Sequence, residues 1–200
     1  MKRFVYLISP KNINKNFYKD LEKVLSFRNV EYFQLRLKNI KVNKFLKIVY
    51  QIKKITAKYK VKFVINDYYN LACKTGVDGC HMGQFDGSFK IARKKLKNKI
   101  LGVTCHNSKK LAKDANKLKV DYIALGSFFK SKLKPNAKKA SLNILRWSKK
   151  NIDKPIVVIG GINNLNYKRL IKFGAKYIAI SSYIWDNPKL KPELAIKMFK

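Results

Sequence analysis

Cationic side chains alternate with leucines in the segment Gln34-Leu35-Arg36-Leu37-Lys38. In an extended strand this alternation places Gln34, Arg36 and Lys38 on the same side. An arginine and a lysine that face the inside of a closed sheet need an anionic partner, because unpaired charge is costly to bury. A diphosphate suits them, since a guanidinium can bind it through two parallel hydrogen bonds. The segment therefore predicts an anion site, with exposed residues of an edge strand as the alternative.

Two carboxylates, Asp67 and Asp86, follow neighbouring apolar segments in a chain that has only 11 acidic residues. A hard cation held by one or two carboxylates together with substrate phosphates is the usual arrangement for magnesium. The pair therefore indicates a Mg2+ site. Capping of the helices that follow each carboxylate is the alternative.

Small residues end the last two apolar segments of this kind. Gly160 and Gly161 follow one segment, and Ser181 and Ser182 follow the other. Glycine lets the backbone approach an anion closely, and the N-terminus of a following helix attracts negative charge. In a (β/α)8 barrel a phosphate site lies after strands 7 and 8. These four residues are called the phosphate cup below; a tight turn without a ligand is the alternative.

The elements that must position these residues form a regular series of eight short apolar segments. Lysine-rich stretches between them carry apolar residues at helical spacing, such as Phe45, Ile48, Val49, Ile52 and Ile55. The predicted strands are 4–9, 32–37, 63–66, 79–82, 100–104, 122–126, 156–160 and 177–181. Strands that alternate with amphipathic helices indicate a parallel sheet covered by helices. The sequence therefore predicts an α/β protein: a compact (β/α)8 TIM barrel in which residues 1–200 form a single domain.

A doubly wound open sheet is the rival architecture. It is disfavoured because no GxGxxG follows the first strand, where Ser9-Pro10-Lys11-Asn12 stands instead. In a barrel, polar residues at the carboxyl ends of the strands face the active site. Thr104 has that position in strand 5. The basic segment 130–135, after strand 6, is predicted to close over an anionic substrate, with a plain solvated loop as the alternative.

Composition indicates which class of protein this is and where in the cell it is expected. The chain has 200 residues and 46% hydrophobic residues, which fits a globular protein. No apolar run approaches the roughly 20 residues that span a bilayer, and the N-terminus is typical of a first strand rather than of a signal peptide. We therefore expect a cytoplasmic protein with no membrane partner. Cys73, Cys80 and Cys105 show no CxxC spacing and are expected to be reduced, mostly buried thiols.

The formal net charge of +35 raises the question of nucleic acid binding. Lysines supply nearly all of the excess and are spread along the whole chain, whereas arginine, which makes bidentate contacts, occurs at only six positions. We interpret the charge as a solvated lysine coat that also attracts anionic substrates. A nucleic-acid-binding protein remains the alternative from another class, and it predicts steeply salt-dependent binding with little sequence selectivity. Absence of duplex and single-strand binding at about 0.15 M salt would exclude this alternative.

Taken in order, these segments resemble the thiamine phosphate synthase family over nearly the whole chain. The segments that carry the resemblance are Gln34-x-Arg36-x-Lys38, Ile65-Asn66-Asp67, Gly79-Cys80-His81-Met82-Gly83-Gln84-Phe85-Asp86, Gly102-Val103-Thr104-Cys105-His106, Asp121-Tyr122-Ile123-Ala124-Leu125-Gly126, Ile159-Gly160-Gly161-Ile162 and Gly174-Ala175 leading to Ser181-Ser182. The run G-x-H-x-G-Q-x-D, with Asn-Asp upstream, is the most specific of them. The resemblance implies a Mg2+-dependent transferase that joins 4-amino-2-methyl-5-pyrimidinylmethyl diphosphate to a thiazole phosphate and releases diphosphate.

The resemblance also implies roles for individual residues. Asp67 and Asp86 would hold Mg2+, the expected cofactor, and Arg36, Lys38 and Lys134 would be the catalytic cations. The pyrimidine diphosphate would be bound by Gln34, Arg36, Lys38, Asn66, Thr104 and Lys134. The thiazole phosphate would be bound by Ser131, Leu133, Gly161, Ser181 and Ser182. The expected partners are thus two small molecules and not nucleic acid, and a homo-oligomer is left open.

The chain departs from the family pattern at a few positions. Leu133 stands where the family has a second hydroxyl that contacts the thiazole substrate, Leu37 where glutamate is common, and Thr104 where serine is usual. A related barrel of the thiazole tautomerase type, or another paralogue, is therefore the first alternative. Tautomerases tend to place a histidine after the strand-6 glycine, where this chain has Ser127.

Overall fold

Eight parallel strands close into a barrel in the computed structural model, which describes residues 3–130 and 139–200. Each strand pairs with the next along the chain, and the last closes on the first, where Val5 is opposite Ile178. The strands are β1 Val5–Ile8, β2 Val30–Leu35, β3 Lys62–Asn66, β4 Gly79–Met82, β5 Ile100–His106, β6 Tyr122–Gly126, β7 Ile156–Ile159 and β8 Tyr177–Ile180. The predicted (β/α)8 barrel is confirmed.

Helices follow the strands and cover the outside of the barrel. They are α1 Phe17–Leu25, α2 Val42–Lys58, α3 Tyr69–Thr75, α4 Phe89–Leu96, α5 Lys109–Lys117, α6 Leu142–Asn151, α7 Tyr167–Lys172, α8 Ser182–Trp185 and α9 Pro192–Lys197. In α2 the five apolar residues predicted from helical spacing are all buried. None of the helices within residues 3–130 and 139–200 combines the length and the apolar character needed to cross a bilayer.

Alternation of side chains along the strands separates two apolar cores. Residues such as Leu7, Phe33 and Ile123 point outward and pack under the helices. The alternate positions fill the barrel interior, where Tyr6 and Tyr122 are almost completely buried. The barrel is therefore a packed core rather than a pore, and a ligand must bind at one of its ends.

Gly102 in β5 makes room for the ring of Tyr122 in the barrel interior. A Cβ atom at Gly102 would lie 1.9 Å from Cζ of Tyr122, well inside van der Waals contact. We expect Gly102→Ala to lower the free energy of unfolding by about 1–3 kcal/mol, the usual cost of overpacking a core. Denaturant unfolding measures this loss. In a Tyr122→Leu background the loss should be smaller, because the clashing ring is absent; an equal loss in both backgrounds would contradict this explanation.

Candidate active site

The predicted site residues gather at the carboxyl end of the barrel. Gln34, Asn66 and Thr104 lie within the last three residues of β2, β3 and β5. The other described candidates follow strand ends: Arg36, Lys38, Asp67, Asp86, Gly161, Ser181 and Ser182. Because the strands are parallel, all of these ends open on one face. Ser131, Leu133 and Lys134 lie outside the described residues.

Gln34 and Asn66 form a buried amide pair at the floor of this face. Gln34 donates from Nε2 to Oδ1 of Asn66 at 2.7 Å, and both side chains are buried. Each amide keeps further donors or acceptors beyond this bond. The pair can therefore offer hydrogen bonds of fixed direction to a ligand that sits on the floor.

Arg36 and Lys38 lie beyond the strand rather than within it. The strand was predicted to extend to position 37, but β2 ends at Leu35, so strand alternation does not orient these two cations. Arg36 is half-buried and Lys38 is exposed. The Arg36 amide is held by Ser9, whose Oγ accepts its hydrogen at 3.0 Å. Both side chains nevertheless act on the Asp67 carboxyl, since each lowers its pKa through charge.

The carboxyl groups of Asp67 and Asp86 meet beside these cations. Burial raises the pKa of Asp67 to about 6, and the hydrogen bond and charge of Asp86 add to this effect. Asp67 has a φ of 67°, a conformation that aspartate adopts more readily than most residues. The Asp86 carboxylate also accepts the Gly83 amide hydrogen at 2.6 Å. Two acidic groups that disfavour each other's charge form a site that a cation would stabilise.

The alternative interpretation, that these carboxylates cap helices, is wrong. The N-cap of α3 is Tyr68, and no side chain caps that helix. The N-cap of α4 is Ser88, whose side chain accepts from the Ile91 amide. Asp67 and Asp86 are therefore available for a ligand as far as the helix termini are concerned.

The raised pKa of Asp67 predicts a specific dependence of stability on pH. Between the ordinary value of 3.8 and about 6, the native state holds a proton that the unfolded chain has lost, so this group's contribution to stability falls as pH rises. We expect Asp67→Asn, without Mg2+, to raise the melting temperature relative to wild type more at about pH 7.5 than at about pH 4. Asp114→Asn, at an exposed position, is the control. An equal difference at both pH values would contradict the assignment.

The donor set limits which cation could bind. Within residues 3–130 and 139–200, no group of three or more His, Cys, Asp or Glu side chains could hold a metal. A protein cage of the kind that binds zinc is thus not formed by the described residues. Two carboxylate groups fit Mg2+, which keeps waters and shares its remaining positions with substrate phosphates.

Thr104 connects the mouth of the barrel to its interior. Its hydroxyl lies 2.8 Å from Nε2 of His81, and its carbonyl accepts a hydrogen from Nε2 of Gln84. His81 also lies 3.0 Å from the hydroxyl of Tyr122. Half-buried Thr104 is therefore fixed on two sides, so its hydroxyl has a defined position near the carboxyl end of β5.

Packing within the fold explains the glycines of the phosphate cup independently of any ligand. A Cβ atom at Gly160 would lie 1.9 Å from Oγ of Ser127, and one at Gly161 would lie 2.3 Å from the carbonyl oxygen of Lys130. Both glycines also have positive φ, 105° and 59°. Ser181 donates from Oγ to the Ser9 carbonyl at 3.0 Å. Glycine is thus required here by the fold itself, and the sequence alone could not separate this reason from phosphate binding.

Sequence reasoning gave no role to the interior tyrosines. Tyr6 and Tyr122 share a hydrogen bond at 2.7 Å, and Tyr122 in turn contacts His81. The signal that could have revealed them is the alternation that turns Thr104, Tyr6 and Tyr122 toward the same interior. Their distances depend on how the strands are staggered, which the sequence does not display.

Fold and site together define the class of protein: a (β/α)8 barrel with a carboxylate pair and cationic side chains at its carboxyl face. Residues 5–184 match the family model for thiamine monophosphate synthase. The chain belongs to this family of transferases.

Individual relatives agree with this assignment. Thiamine-phosphate synthase of Pelagibacter ubique is 52% identical over 201 residues, covering 100% of this chain and 97% of that protein. The enzyme of the same name from Erythrobacter litoralis is 39% identical, with 92% and 88% covered. The solved thiamine phosphate pyrophosphorylase from Pyrococcus furiosus superposes with a TM-score of 0.87 at 25% identity, covering 98% of this chain and 92% of the other.

Proposed function

We propose that this chain is a thiamine phosphate synthase. It joins 4-amino-2-methyl-5-pyrimidinylmethyl diphosphate to a thiazole phosphate and releases diphosphate in a Mg2+-dependent, dissociative substitution. The observation that carries the proposal is the meeting of Asp67 and Asp86 with Arg36 and Lys38 at one strand-end site. The full-length relatives named thiamine-phosphate synthase support the choice of substrates.

The leaving diphosphate is the group that this site suits. Arg36 can bind two of its oxygens in a fork, and Lys38 adds a mobile point charge from an exposed position. Lys134 is the third proposed cation and lies outside the described residues. Cations placed where negative charge develops during bond breaking lower the barrier most.

Asp67 and Asp86 are the proposed magnesium ligands. Burial, together with the neighbouring Asp86, raises the pKa of Asp67, so a bound cation would stabilise the pair in its anionic form. Bound there, Mg2+ would neutralise charge on the diphosphate oxygens. Arg36 and Lys38 also keep the carboxylate pair from repelling an anionic substrate.

The reaction needs no nucleophile from the protein. The C–O bond to diphosphate breaks first, and its electron pair leaves with the diphosphate oxygen. The resulting pyrimidinylmethyl cation is stabilised by the electron-rich aminopyrimidine ring. The thiazole nitrogen then donates its lone pair to that carbon and forms the new C–N bond. The contribution of the chain is to orient two substrates and to stabilise the leaving group.

Two groups of residues at the carboxyl face are proposed to orient the two substrates. Gln34, Asn66 and Thr104 are proposed to hold the pyrimidine, because they offer fixed hydrogen-bonding groups beside the diphosphate site. The phosphate cup is proposed to hold the thiazole phosphate through Gly161, Ser181 and Ser182. Ser131 and Leu133, outside the described residues, are the remaining proposed contacts to the thiazole substrate.

Leu133 gives a prediction about the second substrate. The family pattern has a hydroxyl-bearing residue there, so Leu133→Thr should restore a hydrogen bond and lower the KM for the thiazole phosphate by about three- to tenfold. Steady-state kinetics with each substrate varied in turn measures this change. The KM for the pyrimidine diphosphate should stay within twofold of wild type, roughly. An unchanged or raised KM for the thiazole phosphate would mean that Leu133 is a harmless substitution.

Formation of both products tests the proposed function. The purified protein is incubated with pyrimidine diphosphate, thiazole phosphate and Mg2+, and thiamine phosphate and released diphosphate are followed together. We expect the two products to form in equal amounts. A folded protein that forms neither product would instead be a paralogue with a different second substrate.

A further inference from the structure

Four side chains form a continuous line of hydrogen-bonding groups from the barrel interior to its mouth. The hydroxyls of Tyr6 and Tyr122 are 2.7 Å apart, and Tyr122 is 3.0 Å from Nδ1 of His81. Nε2 of His81 is 2.8 Å from Oγ1 of Thr104. We call this series the interior chain. Each link can in principle point either way, because hydroxyls and a neutral imidazole can both donate and accept.

The inner end of the interior chain decides its direction. Burial raises the pKa of both Tyr6 and Tyr122 far above the ordinary value, so both phenols keep their protons. In the part of the chain that the structure describes, the Tyr6 hydroxyl has one hydrogen-bond partner, the oxygen of Tyr122. A buried hydroxyl without an acceptor is strongly disfavoured. Tyr6 must therefore be the donor in its bond with Tyr122.

The donor in the Tyr6–Tyr122 bond then fixes the donor and the acceptor in each following bond of the interior chain. Since Tyr122 accepts from Tyr6, its own proton is free to go to Nδ1 of His81. An Nδ1 that accepts belongs to the neutral imidazole with its hydrogen on Nε2. That hydrogen points at Oγ1 of Thr104, which accepts it. Thr104 thus keeps its own hydroxyl proton for a partner in the site.

Every other direction of these hydrogen bonds leaves the buried Tyr6 hydroxyl without an acceptor for its proton. If Thr104 donated to His81, then His81 would donate to Tyr122 and Tyr122 to Tyr6, and the buried Tyr6 proton would have no protein acceptor within the described residues. A doubly protonated imidazole has the same consequence, because it too must donate to Tyr122. Only the outward direction uses every proton in the interior chain.

We propose that Thr104 is a hydrogen-bond donor to the pyrimidine substrate, and that His81 and Tyr122 are positioning residues that set this polarity. This inference rests on the proposed function for the identity of the substrate, whereas the direction of the interior chain does not. An aminopyrimidine offers ring nitrogens that accept and an amino group that donates. A donor at Thr104 therefore selects a ring nitrogen and fixes how the ring faces the thiazole. Such a site discriminates against a ring that lacks the acceptor.

The tautomer of His81 is the direct test, because it can be observed without turnover. The chain has two histidines, so 15N NMR of the imidazoles is simple, and His106→Gln assigns the signals. We expect a neutral His81 ring with hydrogen on Nε2 and an accepting Nδ1. Hydrogen on Nδ1, on both nitrogens, or on each in comparable amounts would overturn the proposal.

Variants separate the interior chain from general packing. Tyr122→Phe removes the donor to Nδ1 and should give a mixture of tautomers, since Thr104 can then donate to Nε2 instead. Tyr6→Phe should retain the wild-type tautomer, because Tyr122 still has its proton to donate. Tyr177→Phe, which removes a hydroxyl elsewhere in the same interior core, is the control. An unchanged His81 signal in Tyr122→Phe would overturn the role assigned to Tyr122.

Substrate binding tests the outer end of the interior chain. Calorimetry with the pyrimidine diphosphate should show a Kd about three- to tenfold higher for Thr104→Val, whereas Thr104→Ser should stay within about twofold of wild type. Equal binding by wild type and Thr104→Val would overturn the donor role. If wild type showed the predicted tautomer but bound no pyrimidine diphosphate, the polarity would be supported while the proposed substrate and the role toward it would be refuted.

Discussion

Asp67→Ala should lower Mg2+-dependent turnover by at least about a hundredfold while the protein stays folded. Asp67 and Asp86 supply the two adjoining carboxyl groups of the proposed magnesium site, where burial and then the hydrogen bond and charge of Asp86 raise the pKa of Asp67. Removal of one leaves a single carboxylate, which cannot share the cation in the same way. Initial rates of thiamine phosphate formation at several Mg2+ concentrations measure the effect. Asp86→Ala should act alike, with added loss of its bond to the Gly83 amide.

The controls separate loss of the site from loss of the fold. Asp114→Ala removes a carboxylate from an exposed position in α5 and should keep wild-type rates. Circular dichroism and thermal unfolding should show that each site variant retains its barrel. Retained Mg2+-dependent turnover in a folded Asp67→Ala or Asp86→Ala protein would refute the metal assignment.

Arg36→Ala should lower kcat/KM for the pyrimidine diphosphate by about 10²–10³-fold. Arg36 is half-buried next to the carboxylate pair and can stabilise the leaving diphosphate in the transition state. Arg36→Lys should recover only part of the loss, because an ammonium cannot make the two parallel hydrogen bonds of a guanidinium. Kinetics with the pyrimidine diphosphate as the varied substrate checks both variants.

The matched control for Arg36 is Arg169→Ala, which removes an exposed arginine of α7. It should leave kcat/KM within about twofold of wild type, because an exposed charge on a surface helix is screened by solvent and contributes little to the site. If both arginine variants lost activity to a similar extent, general attraction of anions by the charged surface would explain the effect, and a specific role for Arg36 would be excluded.

The bounds of a strand could be predicted where its apolar segment ends at a glycine. β4 and β6 have the predicted bounds, 79–82 and 122–126. β2 was predicted to continue to position 37 because Leu37 is apolar, and Leu37 is indeed buried, but the pairing with β3 ends at Leu35. Burial therefore continues past the end of a strand, and a pattern of apolar residues cannot show where pairing stops.

The residue types of the candidate site could also be predicted, but their partners could not. Asp67 and Asp86 were paired from their places after neighbouring strands, and the structure brings their carboxyl groups together. The Gln34–Asn66 bond and the contact between His81 and Tyr122 depend on barrel stagger and side-chain direction. These are properties of three-dimensional packing, which spacing along the chain does not contain.

Binding of inorganic diphosphate tests the central claim most directly, since that claim is a shared site for diphosphate and Mg2+ at the mouth of the barrel. Isothermal titration calorimetry is carried out on wild type and Asp67→Ala, each with and without Mg2+. The account predicts that Mg2+ strengthens binding to wild type by at least about tenfold, and that Asp67→Ala abolishes this gain. Equal binding with and without Mg2+, or an equal gain in both proteins, would contradict it.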